Sequence, residues 1–171
     1  MRKERRKLEF SKMQATGDDY IFIENFSNSI TCPESLCISL CDRHKGIGGF
    51  GIVLIENSSV ANAKMRIYNR DGSEGKMAGN CIRCTAKYLY DNGFVAGDTV
   101  TVETASGVKE LKIYTSDSKV TLASVDMGKA SLDAKALPTT IDEKQLVNYP
   151  AEIGGKEYNI TCVSVGNPHC V

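Results

Sequence analysis

The sequence predicts an α+β domain, and three observations carry that prediction. Strand-like apolar runs open and close the chain, two segments have helical periodicity with start and stop residues, and the strands after residue 98 follow one another with almost no helix between them. The 171 residues, 42% of them hydrophobic, fit one domain by default, with two small ones as the alternative, and they argue against disorder.

The elements follow in order. Residues 1–7, Met-Arg-Lys-Glu-Arg-Arg-Lys, are basic but lead into no apolar core, so they read as a solvated N-terminal extension and not as a secretory signal. Between Leu8 and Glu24 two apolar runs flank Gly17-Asp18-Asp19, which is a strand, a loop and a strand. A helix is expected from Pro33 to His44: proline suits a first helical position, Leu36, Cys37 and Leu40 make an apolar face, and Gly46 stops it. The glycine-rich stretch Gly46–Gly51 then enters a strand at Ile52–Ile55. A phosphate-cradling loop needs a strand before its glycines and a helix after them, so this reversed order argues against a nucleotide site.

Lys64–Asn69 alternates as a strand and closes in the turn Asn69-Arg70-Asp71-Gly72. Ile82, Ala86, Leu89 and Tyr90 recur at helical spacing up to the stop Asn92-Gly93, which predicts a helix over 79–91 fed by a tight turn at Met77–Cys81. Strands are expected at 99–104, 108–114, 120–126 and 158–165, a short helix within the polar segment 138–150, and a tight turn at Gly166-Asn167-Pro168-His169. The chain ends at Cys170-Val171, just as another apolar run would begin, and so reads as truncated.

Composition excludes several functions. Twenty-one basic residues balance 21 acidic ones, so charge points to neither nucleic acid nor an anionic membrane as partner. No apolar run approaches the roughly 20 residues of a membrane-spanning helix. Seven cysteines, an odd number behind no signal peptide, suggest reduced thiols in the cytoplasm and not a disulfide framework. Cys81-x-x-Cys84 lacks the second ligand pair a zinc site needs, since only His44 and His169 are at hand, so no metal is expected.

The turn at Met77–Cys81 is the strongest site candidate. Amides at a helix N-terminus are unpaired and sit at the positive end of the dipole, so Gly79, Asn80 and Cys81 could receive a carboxylate or phosphate. The same field lowers a thiol pKa, which would make Cys81 a nucleophile or base. Helix capping and burial of a small side chain explain the same residues without chemistry. His169, in its turn, has no partner identifiable by spacing.

At these residues the chain resembles the diaminopimelate epimerase family. Lys12-Met13-Gln14-Ala15-Thr16-Gly17-Asp18-Asp19-Tyr20 looks like the family's opening motif, and Asp42-Arg43-His44-Lys45-Gly46-Ile47-Gly48 like its Asp-Arg-x-x-Gly-Ile-Gly segment. The run Met65–Glu74, with Asn69-Arg70-Asp71-Gly72-Ser73, then Val125-Asp126-Met127-Gly128 and Ser164–Cys170, complete five motifs in order. The resemblance runs from Leu8 to Val171 and implies that 8–171 is the N-terminal domain of a two-domain protein: a curled mixed sheet wrapped around a central helix, one of two pseudo-symmetric halves.

The resemblance further implies a cytoplasmic isomerase of lysine and peptidoglycan precursor synthesis that interconverts LL- and meso-diaminopimelate without pyridoxal phosphate or any other cofactor. In the family, a cysteine from one half removes the α-proton and a cysteine from the other protonates the opposite face. Asn69 and Asn167 stand where asparagines hold the substrate's distal end, Gly79 and Asn80 where amides receive a carboxylate, and His169 where a histidine lines the pocket near the catalytic centre. The implied partner is an amino-acid substrate, and a homodimer is the implied assembly.

Four departures qualify this. Ala78 occupies the position of the first catalytic cysteine, and the second cysteine motif would lie beyond Val171, so the chain alone is expected to be inactive. Cys81 is an alternative thiol, displaced by about 5 Å along the helix. Asp18 replaces an asparagine that contacts substrate and brings a negative charge, and Phe50 replaces a common aspartate. The alternatives are a racemase of another amino acid, such as histidine, and a non-catalytic amino-acid-binding relative.

Overall fold

Two units divide the polypeptide, one ending at Asp126 and the other spanning Met127–Val171, and the computed structural model describes residues 7–171. The basic extension lies outside the described residues apart from Lys7, whose Nζ meets Glu9 at 3.0 Å.

In the first unit, β1 (Ser11–Ala15) and β2 (Asp18–Glu24) form an antiparallel hairpin. Its turn is only Thr16-Gly17, both at positive φ, the two-residue geometry that matches strand twist. Asp18 and Asp19, expected in the loop, therefore already belong to β2, paired with Ala15 and Gln14.

Helix α1 (Pro33–Cys41) starts at its proline as predicted but ends three residues early. Asp42 turns extended, and its Oδ1 accepts from the amides of His44 and Lys45. The amides of Ile47 and Gly48 fold back onto the Leu40 carbonyl. A Cβ at Gly46 would sit 2.4 Å from the Ser39 carbonyl oxygen, so the glycines let the loop cap α1. The buried stripe of α1 is Pro33, Cys37 and Cys41; Leu36 and Leu40 pack at its margin.

The strands β3 (Gly51–Glu56) and β4 (Ala63–Asn69) are antiparallel, and the two-residue β5 (Glu74–Gly75) adds to one end of β4. Helix α2 spans Gly79–Asp91, the predicted range, and Gly93 at φ 78° ends it while the Phe94 amide bonds the Leu89 carbonyl. Then come β6 (Thr99–Thr104), β7 (Gly107–Ser116) and β8 (Lys119–Val125). The sheet order is β1-β2-β3-β4-β6-β7-β8, with β2·β3 and β4·β6 parallel and every other pairing antiparallel.

Alternation sorts the side chains onto two faces. Ile21, Ile23, Ile52, Leu54 and Tyr68 point to one face and pack with Cys37 and Cys41 of α1. Phe22, Val53, Ile55, Met65, Ile67, Val100, Val102, Leu111 and Ile113 point to the other and pack with α2. All six residues of β3 are consequently buried.

The sheet is curled, as expected. Laid flat, seven strands would span six spacings of about 4.8 Å, roughly 29 Å, whereas a helix with its side chains is about 10–12 Å wide. Yet α2 touches β1 and β8, the two edges, as well as β2, β4, β6 and β7. Only a half-barrel rolled around the helix allows this, and none of the 13 residues of α2 is exposed. Where the roll stays open, helix side chains serve the free edge of β8: Lys87 Nζ donates to the Val120 carbonyl at 2.6 Å and Asp91 Oδ1 accepts from the Val120 amide at 2.9 Å.

The second unit has two small hairpins, β9 (Tyr149–Ile153) with β10 (Lys156–Ile160) and β11 (Cys162–Ser164) with β12 (Pro168–Cys170). The single strand expected at 158–165 is thus broken at Thr161, whose amide pairs with Val171 while that of Cys162 turns to Leu146. No helix forms within 138–150; the helical turn is at Ala134–Ala136, capped by Asp133 Oδ1 accepting from the Lys135 amide at 3.0 Å.

Among the described residues, no helix is long and apolar enough to cross a membrane.

Candidate functional site

The N-terminus of α2 opens onto the inner face of the half-barrel. Ala78 is its N-cap, in extended conformation, and its methyl packs beside Met77 against the inner core. Neither Ala78 nor any neighbour caps the helix through a side chain, and the intrahelical ladder begins with the Ile82 amide bonding the Ala78 carbonyl at 3.0 Å. The amides of Gly79, Asn80 and Cys81 thus have no acceptor within the helix and mark its positive end.

Two sequence-predicted residues, Asp18 and Asn80, meet at this end, and Arg83 joins them. Asn80 Nδ2 donates to Asp18 Oδ2 at 2.7 Å, and Asn80 Oδ1 accepts from Arg83 Nη2 at 2.5 Å. The chain Asp18–Asn80–Arg83 fixes the orientation of the Asn80 side-chain amide, with a carboxylate bonded to its nitrogen and a guanidinium to its oxygen. Asp18 reaches it because residues 18, 20 and 22 share one face of β2, the face that carries Phe22 into the core under α2.

Asn69 enters from the same face. Met13, Tyr20, Gly51 and Asn69 form one row across β1–β4, each directly opposite the next. Ile67 lies in the inner core and Tyr68 in the outer, so Asn69 faces inward at the end of β4. Asn69 and Tyr20 are two strand spacings apart, about 10 Å. The Asn69 Nδ2 donates to Ser73 Oγ at 3.0 Å, and Ser73 Oγ donates in turn to Asp71 Oδ1 at 2.6 Å. This is the physical content of the Asn-Arg-Asp-Gly-Ser run: a self-bonded turn that holds the asparagine at the strand end.

Two residues that sequence reasoning passed over complete the row. Gly51 is required by its neighbours, since a Cβ there would lie 2.2 Å from the Tyr68 carbonyl oxygen and 2.9 Å from Tyr20 Cε1. Tyr20 leans over it, and burial pushes its phenol pKa upward, with the neighbouring Cys81 thiol adding to the rise. The available signals were the two-residue period from Asp18 and a glycine opening a fully apolar strand.

Cys81 does not match the expectation of an activated thiol. It is 1% exposed, within the inner core, and burial pushes its pKa up to about 12, against the lowering a helix N-terminus would give. Cys84 is likewise buried in this core. Phe50 is half exposed, with the Arg43 guanidinium 5.7 Å from its ring centre, while Arg43 grips Asp19 with both nitrogens at 2.6 and 3.1 Å on the outer face.

Asn167 and His169 belong to the second unit. Asn167 is in the turn between β11 and β12, its carbonyl accepting from the Val165 amide at 3.1 Å. His169 is not in the turn, where it was expected, but in β12 opposite Val163, exposed and bordering a cavity of about 190 Å³ with Leu137, Thr139, Cys162 and Cys170.

A family model described as diaminopimelate epimerase matches residues 10–132. A diaminopimelate epimerase of Acetivibrio thermocellus is 43% identical over 164 residues, covering 96% of this chain and 59% of the relative. One of Desulfovibrio desulfuricans is 42% identical over 170 residues with the same coverage, so the chain spans 59% of the length of these curated relatives. Among solved structures, a hydroxyproline epimerase from Agrobacterium vitis superposes with a TM-score of 0.59 over 90% of this chain and 48% of its own, at 14% identity, which is a likeness of fold.

Proposed function

The chain belongs to the diaminopimelate epimerase family, and on that premise we propose that residues 8–171 are the first half of a cofactor-independent amino-acid epimerase acting on diaminopimelate in the cytoplasm. The observation that carries this reading is the head of α2: free amides at Gly79 and Asn80, at the positive end of a helix none of whose residues is exposed, where a substrate carboxylate would bind.

Such a site answers the chemical difficulty of the reaction. An amino acid's α-proton is very weakly acidic, and the negative charge that develops towards the carboxylate as the proton leaves is stabilised by fixed amide dipoles in a water-poor cleft. Asn80 is held by Asp18 and Arg83, so the amides need no reorganisation when charge appears. Asn69, Asn167 and His169 are each assigned as substrate-binding or pocket residues on the strength of the family motifs.

Inversion also needs a thiolate on one face of the α-carbon and a thiol on the other. Ala78, where the first of these belongs, can neither take nor give a proton, and Cys81 is a core residue. This chain therefore supplies binding and electrostatics but not the first proton transfer. Asp18 favours a second reading, a racemase of another amino acid such as histidine: its carboxylate, bonded to the Asn80 side chain at the head of α2, would disfavour the second carboxylate that diaminopimelate carries and histidine lacks. Ala78 favours the other alternative, a non-catalytic amino-acid-binding relative.

The test is α-carbon deuterium exchange in D₂O, followed by NMR on the full-length protein that contains this chain. Ala78→Cys is expected to raise exchange into LL-diaminopimelate at least about 100-fold, the scale of a positioned acid–base group. Equal exchange before and after the substitution overturns the role given to position 78. Exchange into a different amino acid alone overturns the substrate.

A further inference from the structure

Outside the site just described, the second unit brings two thiols together. In the β11–β12 hairpin, Cys162 and Cys170 are directly opposite each other. The adjacent pair, Thr161 and Val171, exchanges both backbone hydrogen bonds, at 2.7 and 2.9 Å. In an antiparallel ladder the pairs alternate, so Cys162 and Cys170 occupy a non-hydrogen-bonded position. Cα atoms at such positions are about 4.5 Å apart with their side chains on one face, inside the roughly 4.4–6.8 Å range that a disulfide spans. Both thiols line the cavity of about 190 Å³ beside Leu137–Thr139. Cys170 is exposed and Cys162 half-buried, an arrangement of an attacking and a resolving thiol.

We propose that Cys162 and Cys170 are a redox-active pair that closes to a cross-strand disulfide with a low-molecular-weight disulfide such as oxidised glutathione. The Cys170 thiolate attacks one sulfur of the oxidant, forming a mixed disulfide and expelling one glutathione thiolate. The Cys162 thiolate then attacks the Cys170 sulfur, forming the protein disulfide and expelling the second. Two cysteines are oxidised, one glutathione disulfide is reduced to two thiols, and these carry away the two protons. The bond ties the stem of the turn that holds Asn167 to the strand that holds His169, and a small reductant reopens it through exposed Cys170. The inference stands on the hairpin alone, whatever reaction the protein performs.

The experiment incubates the 171-residue chain in glutathione redox buffers, quenches free thiols with iodoacetamide and maps tryptic peptides by mass. Both cysteines lie in the terminal peptide after Lys156. The expected product is that peptide lighter by two hydrogens and unalkylated at both positions, with Cys162→Ser leaving Cys170 as the glutathione mixed disulfide. At matched buffers the oxidised-to-reduced ratio is expected to be at least about tenfold higher in the folded chain than in urea, because the fold preorganises the pair. Mixed disulfides alone, pairing of Cys170 with Cys32, or equal ratios in the folded chain and in urea would each overturn the proposal.

Discussion

Whether Cys81 can stand in for the thiol missing at position 78 is decided by its reactivity. Burial moves its pKa from 9.0 to about 12. Three pKa units reduce the thiolate present at pH 8 about a thousandfold, and the thiolate is the reactive species. Occlusion adds to this, because only 1% of the residue is accessible. The assay is timed alkylation of the folded chain with iodoacetamide at pH 8. Trypsin isolates Cys81 in the peptide Met77–Arg83, apart from Cys84 in the next. Labelling of Cys81 is expected to be at least about a thousandfold slower than that of exposed Cys32. In urea the difference should vanish. Labelling of Cys81 within tenfold of Cys32 in the folded chain would refute the assignment of Cys81 to the core and revive it as a base.

Gly51→Ala forces a methyl to 2.2 Å from the Tyr68 carbonyl oxygen, so urea melts should show a loss of about 3 kcal/mol or more; a loss under 1 kcal/mol would mean that the row from Tyr20 to Asn69 is not so tightly built. Asn25, 2% exposed, donates to buried Glu56 at 2.8 Å and accepts from the Ile30 amide, so Asn25→Ala should cost about 2–3 kcal/mol, read by the same melts, with a neutral outcome refuting the network. Hydrogen bonds from Arg43, and then Lys12, hold the Asp19 carboxyl down to about 2 from 3.8. A depressed folded-state pKa stabilises above the unfolded value and is lost as pH falls through the folded one. With half-exposed Arg43 as partner the contribution is about 1 kcal/mol, so Arg43→Gln should lower stability at pH 5, with the gap to the parent chain closing between pH 4 and 2. A gap independent of pH would refute it.

What the sequence made legible was local. The stop at Asn92-Gly93 and the apolar spacing from Ile82 to Leu89 located α2, because capping and periodicity act within a few residues. The Thr16-Gly17 turn was placed a residue or two late because two adjacent residues at positive φ are not visible in a list of residue types. Leu36, Cys37 and Leu40 were expected as the apolar face of α1; Cys37 is buried as expected, but it is joined by Pro33 and Cys41 while the two leucines pack only at the margin. Gly79-Asn80 could be placed at the head of α2 from the helix signal alone, whereas Asp18 and Asn69 were singled out through motif resemblance. The Asp18–Asn80 bond joins residues about 60 apart, and only the packing of α2 against the inner face of β2 brings them together. Cys81 shows the limit of local reasoning: the helix terminus argues for a low thiol pKa, and tertiary burial outweighs it.

The placement of the two helices on opposite faces of the sheet has a chiral origin. Two connections, β2–α1–β3 and β4–α2–β6, join parallel neighbours, and both step across the sheet in the same direction. Such crossovers are right-handed in about 98% of cases. Between them the chain reverses through residues 57–62, so the second pair of strands runs opposite to the first. Keeping the hand while inverting the strand direction obliges the second helix to cross on the other side. One hairpin thereby leaves α1 on the outside and sends α2, with Gly79 and Asn80 at its head, into the hollow of the half-barrel.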